Sequence, residues 1–191
     1  MRVGVTKEET LKYFLLFLAL LLTGCASKII PLGSPVTAVT YNDVASKYMP
    51  RPTFAEVQKF NGDDDRLVIT MQGYGIGADS AVTMTFVRQY VDDYLKLIDK
   101  YLHWDELASK RGDIINREIG RAGLWAGAEV RFSIFSGNQI SHYLVTEICG
   151  LGLCSGDNAL MFDRNGAIAL KNLLSKFKAG NFKEVNESIY Q

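Results

Sequence analysis

Two histidines, His103 and His142, are the only side chains of the 191-residue chain whose ordinary pKa lies near neutrality, so general-base chemistry would run through one of them. His103 is followed by Trp104, a pair that could line a pocket. The sequence places no second histidine or acidic cluster to complete a site there, which favours core packing beside a solvated rim. His142 alternates with Ile140 and Leu144 on an expected strand and reads as a packed imidazole. A serine–histidine couple with Ser133 or Ser141 has the residue types and no further support. The chain lacks a Gly-x-Ser-x-Gly elbow, a His-Glu-x-x-His pair and a phosphate loop ending in Gly-Lys-Ser/Thr. Glycan hydrolysis needs two carboxylates ~5–9.5 Å apart, and the spacing selects no pair. Asp63-Asp64-Asp65 lacks the alternating acids and distal Glu of a calcium loop and reads as a solvated turn. No catalytic residue and no metal ligand is assigned.

Gly73-Tyr74-Gly75-Ile76-Gly77-Ala78 fits Gly-x-Gly-x-x-Ala between an expected strand, Arg66 to Met71, and an expected helix. A dinucleotide fold also requires a second parallel strand ending in an acid, and the downstream region reads as antiparallel. No cofactor is expected. Gly73, Gly75 and Gly77 instead read as a flexible connection that another backbone could approach closely.

The address is written at the amino terminus. The apolar run Tyr13 to Leu22 is half of the ~20 residues that a membrane-spanning helix needs. It matches the ~7–15-residue core of a secretory signal, with Arg2, Lys7 and Lys12 before it and Glu8 and Glu9 leaving the leader only weakly positive. Leu22-Thr23-Gly24-Cys25 follows. This stretch resembles the lipobox of bacterial lipoproteins. The resemblance implies that residues 1–24 are removed as a signal peptide and that Cys25 becomes an acylated, palmitate-bearing first residue. One acyl chain gives marginal membrane binding and two or three give stable anchoring, at ~0.8 kcal/mol per buried methylene. Ala26, in place of Asp after the cysteine, resembles cargo sorted to the outer membrane. The expected location is therefore the envelope, lipid-anchored at the outer membrane and facing the periplasm.

With Cys25 committed to lipid, Cys149 and Cys154 in Cys-Gly-Leu-Gly-Leu-Cys are the remaining thiols, and in an oxidising envelope they are expected to pair. Gly150 and Gly152 let the chain turn back between them. Of 21 basic and 21 acidic residues, three and two lie in the leader, which leaves 18 and 19. That balance argues against a nucleic-acid partner. The bilayer, and another envelope protein or a cell-wall component, are the expected partners.

The elements that must position these residues follow in order. Residues 25–52, punctuated by Pro31, Gly33, Pro35, Pro50 and Pro52, read as a lipidated tether whose first fifteen residues could reach roughly 50 Å, with residues 36–41 as an alternative edge strand. Residues 53–191 read as a single domain. Helical periodicity runs from Ser80 to Ser109 through Met84, Val87, Val91, Tyr94, Ile98 and Tyr101, with Gly112 as terminator. Strands are predicted over 113–122, 129–135, 140–148 and 158–162, then a helix over 167–178 capped by Asp163 or Asn165. The fold class is α+β: an antiparallel meander of about four to six strands, packed on one face by the long helix and the C-terminal helix. Taken together, the sequence predicts a non-enzymatic envelope lipoprotein, a binding or assembly module. The alternatives are a hydrolase of peptidoglycan or lipid using His142 or His103, and a small apolar ligand binder.

Overall fold

The computed structural model describes residues 28–60, 64–73, 81–154 and 156–182. Its first three strands come from the segment expected to be a tether: β1 (Lys28–Leu32), β2 (Val39–Asn42) and β3 (Lys47–Pro50). The tether reading is thereby corrected. Ile30, Leu32, Val36, Ala38 and Val39 are all buried, and Pro31 and Pro50 stand on strands that end their sheets, where a missing N–H costs no ladder bond.

β4 (Thr53–Lys59), β5 (Arg66–Gln72) and β6 (Ala81–Val87) join β1 in a four-stranded sheet of order β1-β4-β5-β6, antiparallel throughout. Leu67 faces Phe86 and Ile69 faces Met84 across the last pair, all four fully buried. A short 3₁₀ turn, Arg88–Tyr90, leads into α1 (Val91–Arg111). The helical period read from Ser80 thus begins eleven residues late. Met84, Thr85, Phe86 and Val87 are buried consecutively at the end of a strand, and that run imitates the spacing of the helix that follows. α1 buries Val91, Tyr94, Ile98, Tyr101, Asp105 and Ala108, and it ends on Gly112 in the left-handed conformation at φ 67°.

β7 (Asn116–Gly123), β8 (Glu129–Ser136), β9 (His142–Gly150), β10 (Leu153–Cys154) and β11 (Leu160–Phe162) follow, and α2 (Arg164–Ala179) closes the described chain. These strands and the β2–β3 hairpin make a seven-stranded antiparallel sheet of order β3-β2-β11-β9-β8-β7, with β10 beside the distal half of β9. The α+β class holds, with two sheets in place of one meander and more strands than expected. Asp163 caps α2 by accepting from the Gly166 amide at 2.7 Å.

Alternation divides the large sheet. Val130, Phe132, Ile134 and Leu144 point inward and are fully buried against α1, α2 and the small sheet in one continuous cluster. Each such side chain contributes ~1.5–3 kcal/mol relative to exposure. The two helices lie antiparallel, with Asp92–Lys178, Asp99–Lys171 and Asp105–Arg164 paired along their contact. Asp65, expected in a solvated turn, is instead 4% exposed. Its carboxylate accepts from the Phe60 amide at 2.9 Å, Lys59 at 2.8 Å and Arg88 at 3.2 Å. Arg88 in turn donates to the carbonyls of Phe177 and Lys178 at the end of α2.

Candidate functional site

The residues singled out by the sequence do not converge. Cys25, Gly75 and Gly77 lie outside the described residues; Gly73 ends the described part of its loop, its carbonyl accepting from the Arg51 guanidinium. His103 is exposed on α1. Trp104, its neighbour, lines an open groove of about 660 Å³ with Leu107, Ile114, Arg111 and Arg117. His142 lines a different, more polar cleft of about 320 Å³ with Asp105, Asp163 and Arg164.

His142 is 3% exposed and its Nδ1 lies 2.7 Å from the Ser136 hydroxyl. The sequence pointed to Ser133 or Ser141; the partner is Ser136, brought opposite His142 by the register of β8 on β9. Ser136 is 8% exposed and already engaged: its Oγ accepts from the Ile115 amide at 2.9 Å and its own amide donates to the Ile115 carbonyl. The Tyr101 hydroxyl donates to the His142 carbonyl at 2.9 Å. These bonds fasten the end of the β8–β9 hairpin to the chain entering β7 and to α1, and Ser136 lines neither the groove beside Trp104 nor the cleft beside His142. A serine so buried, with its oxygen held by a backbone donor, is placed to clamp and poorly placed to attack. His142 Nε2 is buried without a partner among the described residues.

The outward face of the large sheet has the composition of a binding surface. Where Val130, Phe132 and Ile134 turn inward, Arg131, Ser133 and Phe135 turn outward. Register brings Tyr143 opposite Phe135, and Tyr41 opposite Tyr48. Tyr48 sits at the centre, its ring 4.5 Å from Tyr143, 5.3 Å from Tyr41 and 6.1 Å from Phe135. Gly137 keeps this cluster close: a Cβ there would stand 3.2 Å from Tyr143 and 3.4 Å from Tyr48. Burial, and for Tyr48 also the neighbouring Tyr41, push both phenols above their ordinary pKa. Their hydroxyls stay neutral at physiological pH and can both donate and accept.

Beside the rings lies a recess of about 290 Å³ lined by Tyr48, Asn116, Arg131, Ser133, Phe135 and Glu147, among others. Arg131 directs Nε, at 2.8 Å, and Nη2 to one oxygen of Glu147, which is 7% exposed. The pair is a fixed, planar set of donors and acceptors in a half-apolar surface. Gly156 lies close to Glu147, a Cβ there standing 3.8 Å from its Oε1, while Tyr41 remains 45% exposed. The signal was present in the sequence as period-two alternation in β8 and β9, but Tyr41 and Tyr48 come from the segment read as a tether.

At the other end of β9, Cys149 and Cys154 form the expected disulfide, their Cα atoms 4.0 Å apart as directly opposed residues of β9 and β10. Two residues, Leu151 at φ 51° and Gly152 at φ 81°, make the turn, the positive-φ pair of a tight hairpin. Among the described residues no group of three or more His, Cys, Asp or Glu is placed to share a metal ion, and no helix is long and apolar enough to cross a membrane. No protein-family model matches the chain, and no curated protein matches it.

Proposed function

We propose that the chain is a non-enzymatic binding module of the bacterial envelope, anchored in the outer membrane through acylated Cys25 and facing the periplasm, and that the open face of its large sheet holds a cell-wall glycan strand. The observation that carries this reading is the aromatic rim of Tyr41, Tyr48, Phe135 and Tyr143 around the Arg131–Glu147 pair. Sugar rings offer apolar C–H faces edged by hydroxyls. Aromatic rings pack against the former, while a guanidinium, a carboxylate, Asn116 and Ser133 supply partners for the latter. The near-equal count of basic and acidic residues suits an uncharged polymer better than a polyanion.

Co-sedimentation of the full-length protein, held in detergent, with purified peptidoglycan sacculi tests the reading. The wild type is expected to sediment with the sacculi. Tyr48→Ala should weaken binding about tenfold, ~1.4 kcal/mol, with its fold intact by circular dichroism. A wild type that stays in the supernatant would overturn the glycan assignment. Release of soluble muropeptides would instead move the protein to the hydrolase reading, for which Ser136–His142 is the one favouring observation. The anchor is tested separately. Cys25→Ser should abolish incorporation of labelled fatty acid, and labelling that persists would remove Cys25 from its role.

A further inference from the structure

The bilayer's position follows from how little chain separates the proposed anchor from the fold. With Cys25 acylated, a premise that rests on the reading above, β1 opens at Lys28, three residues on. Three residues span at most ~11 Å. We infer that the end of the fold carrying Lys28 is a membrane-docking surface that rests in the headgroup layer, with apolar side chains reaching the acyl boundary.

The exposed apolar residues at that end have the chemistry the position requires. Ile29 is 54% exposed and lies opposite Gln58, which lies opposite Arg66. Arg66 is sandwiched between two half-exposed aromatics, its guanidinium 4.3 Å from the Phe60 ring and 4.5 Å from the Trp125 ring. Aromatic rings favour the interface between water and hydrocarbon, and a guanidinium beside them meets lipid phosphates while its stem stays apolar. Trp125 stands at the tip of the β7–β8 hairpin. Glu129, at the start of β8, lies opposite Cys149, so the β9–β10 tip projects from the same end of the large sheet.

That second tip carries Leu151, wholly exposed, and Leu153, 79% exposed. Leu151 occupies the left-handed region at φ 51°, which is strained for an L-residue with a bulky side chain and which Asn or Gly would occupy more easily. Local stability does not account for a strained leucine facing solvent. Insertion into a bilayer does, and the Cys149–Cys154 bond holds the turn that presents it.

The test uses the acylated full-length protein with Trp104→Phe, which leaves Trp125 as the only one of its two tryptophans, reconstituted into vesicles of phosphatidylcholine and phosphatidylglycerol. Brominated acyl chains in the same lipids are expected to quench most of the Trp125 emission. Adding Leu151→Asn should raise the unfolding midpoint and yet reduce quenching, a pair of effects that loss of folding cannot produce. Acylated protein whose Trp125 is not quenched overturns the docking surface and leaves the anchor standing. An amino-terminal peptide without acyl mass overturns the anchor and this surface with it.

Discussion

Asp65, a carboxylate at 4% exposure with three donors on its two oxygens, is a residue whose ionisation bears on the stability of this fold. Burial raises the Asp65 pKa. The hydrogen bond from Lys59, the Phe60 amide and the charges of Lys59 and Arg88 outweigh it and hold the group below the usual carboxylate range. A depressed folded-state pKa contributes stability that is present above the unfolded value, ~3.9, and is lost as pH falls through the folded value. Asp65→Asn should therefore lower unfolding free energy by ~1–3 kcal/mol at pH 7. Urea titrations should show the gap between variant and wild type narrowing below about pH 4; a gap unchanged at pH 2 would mean that the charge is not the cause. Ser136 makes a complementary case. Ser136→Ala leaves the Ile115 amide and His142 Nδ1 without their partner, which should cost ~1–3 kcal/mol while sacculus binding is unchanged. Loss of binding at full stability would give Ser136 a role beyond clamping. Neither role was legible in the sequence, because the partners of Asp65 lie up to 23 positions away and Ser136 meets His142 only through strand register.

Elements were read well where their pattern is local and poorly where packing decides it. Gly112, Asp163 and the alternation of β8 are signals carried by neighbours in sequence, and they lie where expected. The start of α1 was misplaced because a strand buried on both faces at its end lost its period of two. Two glycines show how far packing overrides propensity. Gly166 lies in the first turn of α2, where alanine ordinarily favours a helix by ~0.5–1 kcal/mol. A Cβ there would stand 2.6 Å from the Thr37 carbonyl oxygen, backbone that cannot withdraw without shifting the β1–β2 connection. Gly120 follows the bulged residue Ile119 in β7, whose carbonyl accepts from Lys100 at 2.9 Å. A Cβ at Gly120 would meet only Leu97 Cδ2, at 2.7 Å, the far end of a flexible side chain. Gly166→Ala is thus expected to destabilise by more than Gly120→Ala, on the order of 1–3 kcal/mol, the usual cost of overpacking. Thermal unfolding of the two variants checks the order, and a Gly166→Ala variant more stable than wild type would refute the contact with Thr37.

At the scale of the molecule, the largest difference between sequence and structure is the fate of residues 28–50. Prolines and glycines made that stretch resemble a spacer, yet it supplies an edge of the small sheet and the terminal hairpin of the large one. The dispersed apolar residues between those prolines, whose partners are distant strands, were the weaker signal. The consequence is mechanical as well as architectural. Under the proposed anchoring at Cys25, a domain stitched to its own first strand has almost no freedom to stand off the bilayer, and β8 carries Phe135 six residues beyond Glu129, roughly 20 Å at ~3.3 Å each. On that proposal the aromatic face is presented away from the membrane side at a height set by the sheet and not by a flexible linker. Removing residues 28–50 separates the two readings. A spacer could be deleted with the domain intact. Here the deletion withdraws Ile30, Leu32, Val36 and Val39 from the core, each 8% exposed or less. At ~1.5–3 kcal/mol apiece they contribute roughly 6–12 kcal/mol, about the whole net stability of a domain, ~5–15 kcal/mol. The shortened protein is expected to show no cooperative thermal transition and to bind dyes that report exposed apolar surface. A sharp transition near that of the full-length chain would mean that the two sheets hold together without their shared first segment.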